Sequence, residues 1–308
     1  MSIPIYVIGS SNTDMVVKAE KLPMQGETVI GGVFLMNPGG KGANQAVTCA
    51  RLGGKVTFVA KVGNDIFGKQ ALQQFQKENI HTAFITTDKE HPSGVALIGV
   101  DAKGENIILV APGSNSHLDI RIVEQALESI EGPAIVLIQL EIPISTVEFA
   151  IERSYKKGLK VILNPAPVQT IQAEVMKHLY VITPNETEAE MLTGIRVTDL
   201  KTAEQAAMKL HASGVEIVVI TLGHKGAYLH NDSIARLIPA PLVTATDTTA
   251  AGDCFNGALA VALAEAQSLE QAVAFACKAA SISVTRMGAQ ASLPYRKEVN
   301  EVSLLTPL

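Results

Sequence analysis

The chain has 308 residues, of which 47% are hydrophobic and 18% are charged, and its formal net charge is −5 at pH 7. This apolar content excludes a largely disordered chain, and the acidic balance argues against binding of nucleic acid through bulk positive charge. The composition therefore predicts a globular protein without a nucleic-acid partner.

The three cysteines, Cys49, Cys254 and Cys277, do not follow a paired spacing, so neither a disulfide framework nor a structural zinc site is expected. The first apolar run, Ile3–Ile8, is shorter than the apolar core of a signal peptide, which needs roughly 7–15 residues. No stretch reaches the ~20 apolar residues of a membrane span. These features predict a cytoplasmic protein with no membrane partner.

The first elements along the chain predict a small sheet set apart from the rest. Ile3–Ile8 predicts a buried first strand, and Gly9–Asn12 predicts a polar loop after it. Val29–Met36 and Gly94–Val100 are rich in residues that favour strands and are bounded by Gly or Pro. Ile107–Val110 follows a turn and is expected to form a hairpin with the preceding run.

From about Asn44 onward, helical and strand patterns alternate. The predicted strands are Val56–Val62, Ala134–Leu140, Lys160–Leu163, Tyr180–Ile182 and Ile217–Thr221. The predicted helices are Asn44–Leu52, Gly68–Lys77, Ser145–Lys157, Thr202–Ala212, Gly252–Glu265 and Leu269–Arg286. Continuous apolar strands between helices favour an α/β fold with a parallel sheet covered on both faces. Ligands bind such sheets at the carboxyl ends of the strands, so the loops there are the place to look for chemistry.

One such loop, Asp247–Asp253, brings small residues and a carboxylate to the start of a predicted helix. Backbone N–H groups at a helix N-terminus bind anions, and a phosphoryl group in transfer is a suitable anion. Asp253 could accept a proton from an attacking hydroxyl. An ordinary N-terminal cap explains an aspartate at this position about equally well.

A second segment, Asn37–Asn44, contains adjacent glycines that would let the backbone approach a ligand closely. Lys41 and Asn44 add donors that could hold sugar hydroxyls. The GGKGAN spacing differs from that of a Walker A loop. A flexible turn before a helix is the alternative interpretation.

Two further segments carry weaker signals. Asn185 and Glu188 are expected to share one face at the start of a helix, where an amide and a carboxylate suit a hydrated Mg²⁺. Capping of that helix explains the same pair and is the better hypothesis for the pair alone. Gly223–Gly226 follows a predicted strand and is interpreted as a loop on the nucleotide side.

Together and in this order, these segments resemble the ribokinase family of carbohydrate kinases, from Gly9 to about Pro294. The stretches GGKGANQAVTCARLG and DTTAAGDCFNGAL look like its two signatures. The resemblance implies a Rossmann-like, mostly parallel sheet between helices, with a small β-sheet lid. It assigns residues 1–11, 38–92 and 112–308 to the α/β core, and residues 12–37 and 93–111 to the lid. It also implies ATP-dependent phosphorylation of D-ribose at O5.

The resemblance further implies roles for individual residues. The sugar would contact Asn12, Asp14, Gly40, Lys41, Gly42, Ala43, Asn44, Glu141 and Asp253. Asp253 would be the general base, and the anion hole would be formed by Ala250, Ala251, Gly252 and Asp253. The ATP side would comprise Asn185, Thr221, Leu222, Gly223, His224, Lys225, Gly226, Gly252, Asn256 and Cys277, with Glu188 ordering Mg²⁺ through water. A monovalent cation, K⁺, would lie near Asp247, Thr249, Ser283, Arg286, Gly288 and Ser292, and the lid would join two subunits into a homodimer.

Other functions stay open at this point. The substrate could instead be deoxyribose, fructose or adenosine, although Asn12 with Asp14 favours a full ribose and the lid offers only Phe34 and Met36 as a shelf for a base. A non-catalytic sugar sensor would need neither Asp253, nor the anion hole, nor the pair Asn185 and Glu188. Their presence in the sequence disfavours a sensor. The GSSNTD segment after the first strand lacks the GxGxxG pattern of a nicotinamide dehydrogenase.

Overall fold

This computed structural model describes residues 2–301. Along the described chain the strands are β1 (Ile5–Ile8), β2 (Asn12–Lys18), β3 (Val33–Gly39), β4 (Val56–Gly63), β5 (Ile85–Asp88), β6 (Gly94–Val100), β7 (Asn106–Ala111), β8 (Ile135–Ile138), β9 (Lys160–Leu163), β10 (Val181–Ile182), β11 (Ile217–Thr221), β12 (Ala227–His230) and β13 (Ala235–Ile238). The α-helices are α1 (Lys41–Arg51), α2 (Ile66–Lys77), α3 (Ile120–Glu128), α4 (Ile144–Lys156), α5 (Ala173–Met176), α6 (Glu186–Thr193), α7 (Leu200–Ala212), α8 (Ala251–Ala264), α9 (Leu269–Ser283) and α10 (Arg296–Glu301).

The large sheet has the strand order β13-β12-β11-β10-β9-β8-β1-β4-β5. Its strands pair in parallel from β5 across to β11, and β12 and β13 continue the sheet in antiparallel pairing. The carboxyl ends of the parallel strands therefore lie along one edge of the sheet, where loops from distant parts of the chain meet.

Both faces of the large sheet are buried, as the continuous apolar strands predict. In β8, Ile135 and Leu137 pack on the side of α1, α8 and α9, whereas Val136 and Ile138 pack on the side of α3, α4 and α7. Full burial of one such side chain contributes roughly 1.5–3 kcal/mol. The expected α/β architecture is therefore confirmed.

A separate sheet with the strand order β3-β2-β6-β7 forms the predicted small sheet. The predicted hairpin of β6 and β7 is confirmed by their antiparallel pairing. Residues opposite one another across strands share a face, so Asp14 lies on the same face as Ala96 and Val110. Met36, Leu97 and Leu109 lie on the opposite face, with Met15 between Met36 and Leu97. We call that second face the outer face of the lid.

Three boundary predictions are corrected. Asn12 begins β2 rather than ending a polar loop, because pairing with both β3 and β6 outweighs the polar local sequence. The predicted strand Val29–Met36 is displaced to β3, since Gly31 and Gly32 adopt φ angles of 110° and 114° that interrupt it. Helix α9 ends at Ser283 rather than at Arg286. The sequence patterns also missed β5, β12, β13 and α3, among other short elements.

No helix within residues 2–301 is both long enough and apolar enough to cross a membrane.

Candidate active site

The first turn of α8 lies at the edge formed by the strand ends. The residue before it, Ala250, has a φ of 59°, a left-handed conformation that a residue with a Cβ adopts at a cost of roughly 1–2 kcal/mol. The first N–H groups of a helix have no acceptor within the helix, and those of Gly252 and Asp253 bond to no other described residue. A Cβ placed on Gly252 would meet nothing within 4 Å. The N–H groups of Gly252 and Asp253 therefore lack a protein acceptor, and Gly252 is not covered by other residues, as an anion site requires.

Asp253 lies directly beside α1. Its side chain is buried, and each carboxylate oxygen accepts one amide hydrogen bond, from Asn44 Nδ2 at 2.9 Å and from Gln45 Nε2 at 3.0 Å. The two helices can approach closely because Gly257 has no side chain. A Cβ at this position would lie only 2.6 Å from the Cβ of Thr48. The two signature segments thus meet at one carboxylate. Gln45 was not among the predicted site residues.

Lys41 is the cation of this cluster. Burial acts to lower the pKa of Lys41, but the nearby carboxylates of Asp253, Glu141, Glu188 and Asp14 together raise it above its usual value. Four acidic side chains from four separate parts of the chain therefore surround one ammonium group.

The carboxylates respond to burial and to one another. Burial, together with Glu141 and Asp253, raises the pKa of Asp14 to about 6, and Lys41 opposes that shift. Burial also raises the pKa of Asp253, although Lys41 and the amide donors of Asn44 and Gln45 act to lower it. The site is thus rich in acceptors for hydroxyl groups, and its charge state is sensitive to pH.

Gly40 and Gly42 allow the start of α1 to pack closely against the connection between β1 and β2. A Cβ on Gly40 would lie 2.7 Å from the backbone nitrogen of Asn12, and one on Gly42 would lie 2.5 Å from that of Ser10. Gly40 and Gly42 therefore admit the connection between β1 and β2, and the expectation that this loop also approaches a ligand stays a prediction.

The backbone amides at the start of α1 are also occupied. The N–H of Lys41 donates to Glu141 Oε2 at 3.0 Å, and the N–H of Ala43 donates to the carbonyl oxygen of Ser10 at 2.8 Å. Gly42 donates to the hydroxyl of Ser10 at 3.3 Å. The side chains of Lys41 and Asn44, rather than the amides of Gly42 and Ala43, are the groups that this loop offers to a ligand.

Asn12 lies between the lid and the core. Its Oδ1 accepts a 2.7 Å hydrogen bond from Asn115 Nδ2, which fixes the amide orientation and directs Nδ2 away from Asn115. Asn12, Asn115 and Glu141 line a cavity of about 540 Å³ beside the lid. Asn115 belongs to a short 3₁₀ helix, residues 113–117, whose sequence carries no motif that could have identified it.

A second cavity, of about 660 Å³, lies on the other side of the first turn of α8. Its apolar walls are formed by Leu242, Val243, Phe255, Cys277, Ala280 and Val284. Its polar end carries predicted nucleotide-side residues, namely Asn185, Thr221, Gly223, His224, Gly226 and Gly252. The cavity thus combines an apolar slot with a polar end at the helix N-terminus.

Four predicted nucleotide-side residues do not line this cavity: Leu222, Lys225, Glu188 and Asn256. Leu222 is buried in the core. Asn256 accepts a hydrogen bond from Thr183 Oγ1 at 2.6 Å and donates one to the carbonyl oxygen of Gly252 at 2.9 Å. Its side chain therefore anchors the first turn of α8 from the inner side, so the structure does not support the predicted place beside a purine.

Asn185 and Glu188 form a reciprocal cap on α6. The N–H of Glu188 donates to Asn185 Oδ1 at 2.8 Å, and the N–H of Asn185 donates to Glu188 Oε2 at 2.9 Å. The capping interpretation is confirmed. Burial raises the pKa of Glu188, and its electrostatic coupling to Lys41 and Asp253 joins it to the same cluster of charged side chains.

The Asp247 loop is tied to the loop after α9. Oδ1 of Asp247 accepts from the N–H of Thr249, and Oδ2 accepts from the N–H of Gly288, each at 2.9 Å. Burial acts to raise the pKa of Asp247, but these hydrogen bonds outweigh it and hold the pKa below its usual value. The guanidinium of Arg286 pairs with Glu298. The hydroxyls of Ser283 and Ser292 donate to carbonyl oxygens in their own turns.

Comparison with known proteins places this geometry in a family. The family described as "pfkB family carbohydrate kinase" matches residues 3–296. A ribokinase of Haemophilus influenzae is 45% identical over 297 residues, which are 96% of this chain and 97% of that protein. A deoxyribokinase of Salmonella typhimurium is 36% identical over 96% of this chain and 97% of its own length.

Solved structures agree with the sequence comparison. The structure of Arabidopsis thaliana ribokinase complexed with ribose and ATP superposes with a TM-score of 0.87 at 35% identity, and the match covers 98% of both chains. The predicted fold and the predicted enzyme class are confirmed by these relatives. The chain belongs to the pfkB family of carbohydrate kinases.

Proposed function

We propose that this protein transfers the γ-phosphoryl group of ATP to O5 of D-ribose, giving D-ribose 5-phosphate and ADP. One observation carries the proposal: Asp253 and the free amides of the first turn of α8 stand between a cluster of sugar-binding side chains and an open nucleotide-sized cavity. The relatives that act on ribose match this chain over nearly its whole length.

Ribose is held by acceptors and donors at fixed positions. Asp14, Glu141 and the unpartnered Oδ1 of Asn44 accept hydrogen bonds from hydroxyl groups, while Lys41 and the free Nδ2 of Asn12 donate them. The contribution of Gly40 is its tight turn, and that of Gly42 and Ala43 is the packing of α1 on Ser10. The proposal requires that ribose held in this way presents its O5 hydroxyl to Asp253.

Asp253 is the general base. Its two oxygens each accept one amide hydrogen bond and keep a lone pair for the proton of the attacking hydroxyl. The amides of Gly252 and Asp253, exposed by the left-handed turn at Ala250 and the start of α8 at Ala251, stabilise the charge on the phosphoryl group in transfer. Positioning and electrostatic stabilisation together account for most of the catalysis in phosphoryl transfer.

ATP occupies the cavity beyond the first turn of α8. The apolar walls, which include Cys277, suit the purine of ATP. Thr221 and the Gly223–Gly226 turn suit the ribose and the phosphates of the nucleotide. His224 lines the cavity, whereas Leu222 and Lys225 support the turn through the bonds Leu222 N–H to Gly226 O and Lys225 N–H to Leu222 O.

The donors present fit Mg²⁺ as a partner of the phosphates. Within residues 2–301 no cluster of three or more His, Cys, Asp or Glu is arranged to hold a metal, so an all-protein cage is not built. Mg²⁺ retains water and takes phosphate oxygens, and Glu188, backed by Asn185, is the carboxylate that would order such waters. Bound there, Mg²⁺ would neutralise charge on the phosphates.

The Asp247 loop fits a monovalent cation such as K⁺ by its oxygen donors. Asp247 supplies a carboxylate and Thr249 a hydroxyl, and the backbone carbonyls near Ser283, Arg286, Gly288 and Ser292 lie at the end of α9 and in the loop that follows. Arg286 contributes only through its backbone, because its guanidinium binds Glu298. If K⁺ organises this loop, its replacement by Na⁺ lowers kcat, and equal rates in both salts would contradict the assignment.

The lid sheet supports a homodimer. Its outer face exposes Met36, Leu97 and Leu109, with exposed fractions of 45%, 51% and 70%. A second copy of this face would cover these side chains. Leu109→Glu is expected to shift the protein to a monomer in analytical ultracentrifugation, whereas Met208→Glu on α7 serves as a matched exposed control. A dimer that survives Leu109→Glu would contradict this assignment.

The three buried, unpaired cysteines support a reducing, cytoplasmic location. Phe34 and Met36, which could form a shelf for a nucleoside base, lie on the outer face of the lid, away from Asp14. This placement disfavours adenosine as the substrate.

Deoxyribose is the second candidate, because a deoxyribokinase matches this chain over almost its full length. A coupled ADP-release assay with ATP, Mg²⁺ and K⁺ compares D-ribose, 2-deoxyribose, fructose and adenosine. If kcat/KM is highest for D-ribose, the proposed substrate is supported. If it is highest for another of these four compounds, that compound is the substrate and D-ribose is not. Binding of ribose without ADP release would instead indicate a sensor.

A further inference from the structure

Three buried amide side chains form a continuous hydrogen-bonded chain beneath Asp253. Gln139 follows β8, Asn164 follows β9, and Gln45 extends from α1 between them. Gln45 Nε2 donates to Asn164 Oδ1 and to Asp253 Oδ1, both at 3.0 Å, and Gln139 Nε2 donates to Gln45 Oε1 at 2.5 Å. Gln45 and Gln139 are completely buried, with 0% of their surfaces exposed.

The ionised carboxylate fixes the direction of this chain. Asp253 can only accept, so Gln45 must turn its NH₂ group toward it. The oxygen of Gln45 then faces Gln139, which must also turn its NH₂ group inward. Gln139 Oε1 is left without a hydrogen-bond partner among the described residues. It packs against Gly9, where a Cβ would lie only 2.1 Å from this oxygen. A buried acceptor left without a donor costs roughly 1–3 kcal/mol, so this arrangement is not chosen for stability alone.

The charges around Asp253 disfavour its ionisation. Glu141 from the loop after β8, Glu188 from α6 and Asp14 from β2 all repel a second negative charge, and Lys41 on α1 is the cation that opposes them. Burial acts in the same direction as the acidic neighbours. Amide donors are therefore needed to keep the carboxylate ionised, and Asn44 and Gln45 supply one to each oxygen.

We propose that Gln45 is a positioning residue for Asp253, which it holds ionised and in a fixed orientation, while Gln139 and Asn164 fix the amide of Gln45 itself. This inference rests on the proposed role of Asp253 as general base. Gln45 is completely buried and lines neither the cavity beside the lid nor the proposed nucleotide cavity. Its effect on the reaction passes through Asp253 Oδ1.

The test is the pH profile of kcat at saturating D-ribose and ATP for Gln45→Met, which preserves side-chain length and removes the donor. Loss of a hydrogen bond to the ionised form raises the pKa of the base, so the acidic limb is expected to move up by about one pH unit. Turnover below the limb then falls about tenfold and recovers to within about threefold of the wild type at alkaline pH. The Kd for ribose is expected to change by less than about threefold.

Thr48→Val is the matched control, because Thr48 lies on the same helix, is equally buried and bonds only to the backbone of Asn44. Its limb is expected to coincide with that of the wild type. If Gln45→Met does not fold, Gln139→Met removes the donor that orients Gln45 and is expected to move the limb in the same direction by a smaller amount.

An unmoved acidic limb, or a loss of kcat that is equal at every pH, overturns the inference. Asp253→Asn, assayed in parallel, separates this failure from that of the proposed function. If Asp253→Asn retains turnover, Asp253 is not the base. If Asp253→Asn is inactive while Gln45→Met leaves the limb in place, only the positioning role is refuted.

Discussion

The two sides of the first turn of α8 are built in different ways. On the sugar side, polar groups from α1, β2 and the loop after β8 converge: Asn44 hydrogen-bonds Asp253, the Lys41 N–H hydrogen-bonds Glu141, and the Lys41 ammonium is electrostatically coupled to Asp14. On the nucleotide side, backbone amides and apolar walls surround an open cavity of about 660 Å³. In the proposed function, recognition of the sugar thus depends on particular charged and amide side chains, whereas the nucleotide would meet more backbone and apolar surface. Substitutions should therefore have larger effects on the sugar side.

The largest expected effect comes from Asp253, which both sides share. Asp253→Asn removes the proton acceptor and places an NH₂ group against the amide donors of Asn44 and Gln45. We expect kcat to fall at least ~100-fold, with a modest change in ribose affinity. Steady-state kinetics and calorimetric ribose binding measure the two effects, and Glu190→Gln on the exposed face of α6 is the control. Turnover close to that of the wild type would contradict the base assignment.

Removal of the cation tests the sugar side through its effect on ribose affinity. Lys41→Met removes the cation that lowers the pKa values of Asp14, Glu188 and Asp253, so these pKa values rise, and a donor to the sugar is lost. We expect ribose Kd to rise about tenfold or more, because an interaction with a charged partner is worth roughly 1.5–3 kcal/mol. Lys201→Met on α7 controls for loss of surface charge. An unchanged ribose Kd would remove Lys41 from the sugar site.

Ribose affinity should also depend on pH through Asp14. Burial and neighbouring acids raise its pKa to about 6, so protonation below that pH removes an acceptor and weakens ribose binding. Calorimetric titration at pH 5 and pH 7.5 measures the difference. Binding that is independent of pH in Asp14→Asn but not in the wild type would assign the effect to Asp14.

The same residue is expected to lower the stability of the free protein at neutral pH. Between the unfolded pKa of 3.8 and the folded value of about 6, the native state binds more protons than the unfolded state, so stability falls as pH rises through this window. At pH 7 Asp14→Asn avoids this cost, and we expect its melting temperature to rise by about 2–4 °C. A lower melting temperature at pH 7 would show that Asp14 stabilises the fold instead.

The smallest effect is expected on the nucleotide side. Cys277→Leu adds volume to the apolar wall of the cavity, so the KM for ATP should rise several-fold while ribose affinity is unchanged. Cys277→Ala, which leaves the space open, is the matched control and should change the KM for ATP by less than about twofold. If the leucine substitution leaves the KM for ATP unchanged, the purine does not lie against this wall.

The sequence patterns predicted most of the core but failed where local composition and tertiary pairing disagree. The strands Lys160–Leu163 and Ile217–Thr221 are found at the predicted boundaries, because fully buried parallel strands are continuous apolar runs. β2 was missed because Asn12 and Asp14 make its start polar, and only its pairing with β3 and β6 makes it a strand.

The candidate site shows the same division. The motifs identified Lys41, Asn44 and Asp253 because helix starts and glycine-rich loops have recognisable spacing, and the structure brings these residues together. Asn115, Gln139 and Asn164 carry no such signal. Their contacts join residues separated by about a hundred positions, so no local pattern can reveal them.

The sequence by itself determined the family, the α/β order of elements and the residue types of the site, since all three are expressed in local composition and spacing. Only the tertiary structure decided how each group is used. It occupied the amides of Gly42 and Ala43 with Ser10, assigned Asn256 to the support of α8, and oriented Gln45 against Asp253. The physical reason is that a backbone N–H has a single hydrogen to donate: once it donates to a distant part of the chain it is no longer free for a ligand, and that partner is known only once the chain is folded.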